Sequence, residues 1–243
     1  MLSLEARHLG DLRFAEVARA LRALSSTYVE RRGKLREGAA LAGAGKRAAF
    51  ALFYGPLHYL LVREVVLALR AAPPSGATLV DLGCGTGPAG AAWAEAFAIS
   101  PPLLGIDRSS WALAEAARTY REFGLRARTR LGDAAAAAWP PGRGALLAAF
   151  TVNELSDPAR DEVLRRLLDR AAHGDAVLVI EPLAGFVAPW WRRWREAIEG
   201  AGGRADEWRF KVALPAIVAK LDRAAGLNHR ELTGRSLWIK GSS

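Results

Sequence analysis

Leu79-Val80-Asp81-Leu82-Gly83-Cys84-Gly85-Thr86-Gly87-Pro88 is the stretch that decides the fold. A mostly apolar run meets three glycines at alternate positions, and a proline then opens a helical segment. Glycine permits tight turns and close approach of a ligand to the backbone. Proline suits the first turn of a helix, where its missing N–H costs nothing. The segment therefore predicts strand, turn and helix. The turn lies at the carboxyl end of the strand, where open parallel sheets bind ligands.

The pattern continues on the C-terminal side. Strands are expected at Thr78–Leu82, Leu103–Asp107, Ala127–Leu131, Ala145–Phe150 and Ala176–Glu181. Helices are expected at Pro88–Phe97, Ser110–Glu122 and Pro158–Ala172. Such alternation predicts an α/β fold, a parallel sheet with helices on both faces. Further helices are expected at Trp190–Ala201 and Leu214–Ala225, and a C-terminal β-hairpin at 228–240 around Gly234-Arg235. Ahead of the Ala72-Pro73-Pro74-Ser75-Gly76 boundary the chain reads as helical. One helix covers 12–24 and is interrupted at Ser25-Ser26-Thr27; a basic, glycine-dotted connection fills 31–47. A long apolar helix follows, kinked or broken near Gly55-Pro56. The expected domains are an N-terminal helical extension at 1–72, a cap over a substrate or a contact for RNA, and an α/β domain at 76–243.

The chain has 243 residues, of which 51% are hydrophobic and 24% charged, which excludes a disordered or fibrous protein. Its single cysteine forms no internal disulfide and supplies no cysteine-based metal site alone, so no metal is expected and a cytoplasmic setting fits. Residues 1–12 lack the unbroken apolar stretch of a signal peptide. The apolar window 48–69 is interrupted by Gly55-Pro56, His58 and Arg63-Glu64, so a buried helix is expected rather than a membrane span. The net charge of +9 divides into +6 over residues 1–75, −2 over 76–182 and +5 over 183–243. The basic flanks either attract a polyanion such as RNA or are solvated helix faces.

The carboxylates mark what the turn holds. Asp107 ends the second strand, where a carboxylate accepts hydrogen bonds from both hydroxyls of a ribose. Asp133, after Gly132, follows the third and can accept from an adenine amine. An adenosine-containing ligand across three strand ends is the expectation. A phosphate-binding P-loop needs Lys and Ser/Thr after its last glycine, and Pro88-Ala89 stand there instead. Gly85, Gly87 and Gly90 also satisfy the dinucleotide spacing, so the glycines alone leave two cofactor classes open. Asp81, two residues before the first glycine, can face a cationic amine or support the loop.

The run Val80-Asp81-Leu82-Gly83-Cys84-Gly85-Thr86-Gly87 closely resembles the first motif of class I S-adenosylmethionine-dependent methyltransferases. Gly105-Ile106-Asp107-Arg108-Ser109 resembles their second motif and Gly132-Asp133 their third. The resemblance covers roughly residues 76–182 and implies a Rossmann-like sheet with S-adenosyl-L-methionine as cofactor. It assigns cofactor contacts to Asp81, Gly83, Cys84, Gly85, Gly87, Asp107, Arg108, Gly132, Asp133 and Thr151, with Cys84 a small packing residue rather than a nucleophile. The implied reaction is direct displacement, in which the protein mainly aligns a nucleophile with the S–CH₃ bond.

After the fourth strand stands Thr151-Val152-Asn153-Glu154-Leu155, where such enzymes meet cofactor and substrate. Base-methylating relatives usually show Asn/Asp-Pro-Pro-aromatic there, and this chain does not. Asn153 is a candidate substrate ligand and Glu154 a candidate base. Val152-Asn153-Glu154-Leu155, Tyr28-Val29-Glu30-Arg31-Arg32, and Val179-Ile180-Glu181-Pro182 with Gly185-Phe186 are similar to a narrower family. That family comprises methyltransferases of the mitochondrial small ribosomal subunit and their bacterial relatives. It carries downstream cysteines that bind an iron–sulfur cluster; this chain has no cysteine after Cys84.

Trp190, Trp191, Trp194 and Trp208 lie among Arg192, Arg193, Arg195 and Arg209. Such a stretch stacks bases, forms a lid over an apolar molecule, or packs a helix. Tyr54 and His58 are candidate catalytic residues lining a substrate pocket. Three functions stay open: a small-molecule methyltransferase, a ribosomal-RNA methyltransferase or assembly factor, and a non-catalytic cofactor-binding protein. The expected partner is a small-molecule acceptor or RNA, with no membrane; the sequence leaves oligomeric state open.

Overall fold

The computed structural model describes residues 1–30 (26–30 as backbone), 43–183 and 189–241. The basic stretch 31–42 and the Gly185-Phe186 pair lie outside the described residues. The chain forms two compact units, residues 1–60 with 211–232, and residues 61–210 with 233–243. The 72–76 boundary read from the sequence falls within the second unit.

The first unit is helical. It holds α1 (Leu2–Leu9), α2 (Phe14–Glu30), α3 (Ala44–Ala49), a π-helical turn (Phe50–Tyr54), the start of α4 (Gly55–Leu69) and α9 (Ala216–Ala224). Val17, Leu21 and Leu24 bury one stripe of α2 at helical spacing. The expected break at Ser25–Thr27 is absent: the helix continues, and the Ser25 hydroxyl bonds Tyr54 Oη at 3.0 Å. A serine whose hydroxyl is engaged elsewhere does not compete with its own backbone. Of the kink or break expected near Gly55-Pro56, the break is absent, and the helix has a π-helical irregularity there instead. Helix runs through Ala44–Leu69, and Gly55 N–H reaches back to Phe50 O in the π turn. The wider turn just ahead of Pro56 accommodates a residue that donates nothing. This helix is long and apolar enough to cross a membrane by composition; half of its most apolar window is buried inside the protein.

The second unit is a seven-stranded sheet in the order β3-β2-β1-β4-β5-β7-β6. Its strands are β1 (Thr78–Leu82), β2 (Leu103–Asp107), β3 (Ala127–Leu131), β4 (Gly144–Ala149), β5 (Ala176–Glu181), β6 (Arg204–Phe210) and β7 (Leu232–Ile239). Its helices include α5 (Pro88–Glu95), α6 (Ser110–Glu122), α7 (Asp157–Ala172) and α8 (Trp191–Gly200). β1 to β5 pair in parallel and β7 runs antiparallel to β5. β4 and β5 are buried along their whole length, as strands covered on two faces must be. Val80, Leu82, Leu146, Ala148, Val177 and Val179 pack with Val163 and Leu167 of α7 and Trp194 and Ile198 of α8. Strand order reverses between β1 and β4, which puts the ligand crevice at their carboxyl ends.

Two corrections concern the C-terminus. Residues expected as a hairpin form the single strand β7. A two-residue hairpin turn needs positive φ, which Gly234 does not adopt. That glycine instead permits close packing, since a Cβ there would lie 2.9 Å from Leu61 Cδ2. Strand β6 was not legible: its RADEWRF sequence is half exposed and carries four charges. α1 was also not anticipated from the sequence.

Candidate active site

The glycine turn is built by packing as well as by conformation. Gly83, Gly85 and Gly87 adopt φ of 68°, 53° and 85°. A Cβ on Gly83 would lie 2.4 Å from Thr151 Cγ2, and one on Gly87 would lie 2.8 Å from the Tyr120 ring. Gly83 and Gly85 are half-buried, so the turn presents bare backbone at the end of β1. Asp81 is buried beneath it, and Asp81 Oδ2 accepts the Gly90 N–H at 2.9 Å. Asp81 Oδ1 is buried with no hydrogen-bond partner among the described residues. Burial pushes the Asp81 carboxyl up to about 7, against the pull of the Gly90 bond and with the help of the Asp107 charge. That bond ties the end of β1 to the first turn of α5.

Asp107 closes β2 and ties two loops together. Its Oδ2 accepts Gly85 N–H at 2.9 Å and its Oδ1 accepts Ser109 N–H at 2.8 Å. Ser109 caps α6 by accepting Ala112 N–H at 3.2 Å. Each Asp107 oxygen keeps a lone pair, and the residue is half-buried, so it can still accept from a diol. Gly132 N–H bonds Asp107 O at 3.0 Å, which brings Asp133 alongside. Asp133 Oδ1 accepts Ala135 N–H at 2.8 Å, and Asp133 Oδ2 lies 3.8 Å from the exposed Arg108 guanidinium. A turn of bare backbone flanked by two partly exposed carboxylates at successive strand ends suits a nucleoside with a free diol and an amine. S-adenosylmethionine is such a molecule. Cys84 is buried in the turn, its Sγ 3.7 Å from Gly85 O. Burial, with the charges of Asp81 and Asp107 behind it, raises its thiol well above the ordinary range, which suits packing and not attack.

The fourth strand end is more constrained than its sequence suggested. Phe150 has φ of 58°, a left-handed value for a residue with a side chain, and it turns the chain out of β4. Thr151 Oγ1 lies 3.0–3.2 Å from the carbonyls of Leu82, Gly83 and Ala149, so it braces β1 against β4. Val152–Glu154 then forms a 3₁₀ turn over Glu181. Glu181 Oε1 accepts Val152 N–H at 2.8 Å and Asn153 N–H at 3.3 Å, and Oε2 accepts the Asn153 side-chain amide. Trp190 Nε1–H donates to Asn153 Oδ1 at 3.1 Å. The indole only donates, so it fixes Asn153 Oδ1 toward Trp190 and the amide nitrogen toward Glu181. Burial pushes Glu181 up to about 8, against its bonds from Asn153 and Val152 and the nearby Arg235; Glu154 adds to the rise. Glu181 and Arg235 are the residues that sequence reasoning missed. The signal for Glu181 was a lone carboxylate closing an otherwise apolar strand; Arg235 was hidden in a misread turn.

The structure gathers Asp81, Gly83, Cys84, Gly85, Gly87, Asp107, Arg108, Gly132, Asp133, Thr151, Asn153 and Glu154 in the sheet unit, at the carboxyl ends of β1 to β4. Tyr54 and His58 belong to the helical unit. There Tyr54 lies 6.0 Å from the Phe50 ring and 6.1 Å from His58, with Phe53 edge-on to Tyr54 and to His229. Desolvation lowers the His58 pKa and keeps the ring neutral. Burial raises Tyr54, with the Ser25 bond opposing.

The tryptophan–arginine stretch is packed. Trp190 and Trp194 are buried with rings 5.0 Å apart, Arg235 covers Trp191, and Trp208 donates to Ser236 Oγ at 2.8 Å. Arg192, Arg193 and Arg195 pair with Glu196, Asp161 and Glu199.

Residues 79–174 match a family described as a methyltransferase domain. Among solved structures, the chain is similar to a candidate RNA methyltransferase from Pyrococcus horikoshii, with TM-score 0.50 and 13% identity over 76% of this chain and 84% of that one. It is similar to the YcgJ protein of Bacillus subtilis, with TM-score 0.50 and 12% identity over 76% and 99%. It is also similar to the [4+2]-cyclase SpnF, with TM-score 0.51 and 22% identity over 76% and 82%. These likenesses show the fold. No curated protein matches the chain.

Proposed function

We propose that the acceptor of this S-adenosylmethionine-dependent methyltransferase is a small molecule. The observation that carries the proposal is the packed tryptophan–arginine stretch. Base stacking needs exposed aromatic faces, and Trp190 and Trp194 are core residues instead. The arginines of α8 are paired with carboxylates, which supports the solvated-face reading of the C-terminal charge. The cofactor supplies an electrophilic methyl carbon on a sulfonium. The chain's own residues then have three tasks. Asp107 and Asp133, with the bare turn at Gly83 and Gly85, hold the nucleoside. Asn153, locked by Glu181 and Trp190, presents one remaining amide N–H to the acceptor. Glu154 takes a proton where the acceptor arrives protonated. A reducing cytoplasm is the setting proposed, since the one cysteine is buried and unpaired.

The test is a binding assay with small-subunit ribosomal RNA across a salt series, beside calorimetry with S-adenosylhomocysteine. The expected result is nucleoside binding together with weak RNA binding. Tight RNA binding that falls steeply with salt would reverse the proposal in favour of the ribosomal reading.

A further inference from the structure

Two arginines are buried among the described residues. Arg160 is satisfied, donating to Leu155 O at 2.9 Å and pairing with Asp157. Arg235 is not. It is 5% exposed, and its Nε and Nη2 are buried without a hydrogen-bond partner among the described residues. These two nitrogens form one edge of the guanidinium plane, whose parallel N–H bonds match the two oxygens of a carboxylate. The unsatisfied part of Arg235 is therefore its recognition fork.

Its surroundings hold the fork in place without neutralising it. The guanidinium lies over the Trp191 ring at 4.0 Å from the centroid. Glu181 stands opposite Arg235 in the β5–β7 register, at the carboxyl end of β5. Yet the Glu181 carboxyl is engaged by Val152, Asn153 and the Asn153 amide. Burial pushes that carboxyl up to about 8, so Glu181 is a weak counter-charge at neutral pH, and no carboxylate among the described residues bonds Nε or Nη2 of Arg235. Desolvation lowers the Arg235 pKa, with Glu181 and Glu207 opposing. A buried cation with open donors is costly unless something pairs with it.

We propose that the Nε–Nη2 edge of Arg235 is a subsite for a carboxylate group of the methyl acceptor, with Trp191 as its floor. The inference rests on the small-molecule reading above and narrows it to carboxylate-bearing acceptors. Glu181 lies opposite Arg235 and also holds Asn153, so the carboxylate anchor and Asn153 share one support.

The experiment uses the native full chain uniformly labelled with ¹⁵N, the Arg235 Nε–H resonance being assigned with Arg235→Lys. Acetate is titrated with and without S-adenosylhomocysteine, against chloride of equal ionic strength and against inorganic phosphate. The expected result is a saturable shift of the Arg235 resonance with acetate. Acetate binding, followed on neighbouring amides, should weaken about tenfold in Arg235→Lys, which keeps the charge and loses the fork. No saturable shift, an equal shift with chloride, or a response to phosphate alone would overturn the proposal. The native titration decides this even where the variant fails to fold. Normal nucleoside binding with no acetate response overturns the subsite and leaves the methyltransferase reading intact. Absent nucleoside binding overturns both.

Discussion

Replacing Gly83 by alanine tests the turn at its tightest point. The new Cβ would sit 2.4 Å from Thr151 Cγ2 and 2.5 Å from Thr151 Oγ1, where ordinary carbon contacts need about 3.5 Å or more. Thr151 must therefore retreat, and its hydroxyl leaves the carbonyls of Leu82 and Gly83. A left-handed φ of 68° adds a conformational penalty of about 1 kcal/mol for alanine. With about 2 kcal/mol for the overpacking, Gly83→Ala should lose about 3 kcal/mol of stability, read by urea unfolding with tryptophan fluorescence. Thr151→Ala alone should lose about 1 kcal/mol, for its hydroxyl bond. The double variant relieves most of the collision but not the φ penalty, and Thr151 Cβ itself would still be 3.0 Å away. The pair should thus be no less stable than Gly83→Ala alone, giving a coupling of about 1 kcal/mol or more. A Gly83→Ala loss under about 0.5 kcal/mol, or strict additivity in the cycle, would refute the packing argument.

Other outcomes follow from the buried groups. Glu181, pushed up to about 8 from 4.5, holds a proton in the folded chain over a range in which the unfolded chain has lost it. Its stabilising share is complete below that lower value and disappears as pH rises through the upper one, a change of up to about 5 kcal/mol. Glu181→Gln should therefore remove its fall in stability between about pH 5 and about pH 9, leaving the fall from Asp81 and, up to about pH 6.5, the opposing rise from His58; an unchanged profile would contradict the assignment. Cys84 should resist alkylation by a thiol reagent at neutral pH in the native chain and react once in urea; rapid native labelling would contradict its burial.

Much of the sheet was legible because its cues are local. The eight strands and helices expected between Thr78 and Glu181 all occur, within about two residues at each end. The glycine turn was legible because left-handed backbone demands glycine at Gly83, Gly85 and Gly87 alike. Long-range partners were less visible. Nothing near Asn153 in sequence reveals that Glu181 and Trp190 lock it from 28 and 37 residues away. The same limit hid β6, whose charged edge sequence pairs only because β7 lies beside it, and Arg235, whose meaning depends on Trp191 beneath it. The interruption at Ser25 was overread, since a partner hydroxyl engages the serine, while near Gly55-Pro56 a π turn takes up the irregularity without ending the helix.

On the function proposed above, the ends of β1 to β3 hold the methyl donor through Asp107. Titration calorimetry of S-adenosylhomocysteine into the native chain and into Asp107→Ala tests it most directly. Loss of a charge-assisted pair of hydrogen bonds to the ribose should weaken binding at least about tenfold, on the order of 2 kcal/mol. The expected result is binding to the native chain and that loss in the variant. Equal affinity in the two proteins, or none in the native chain, would contradict it.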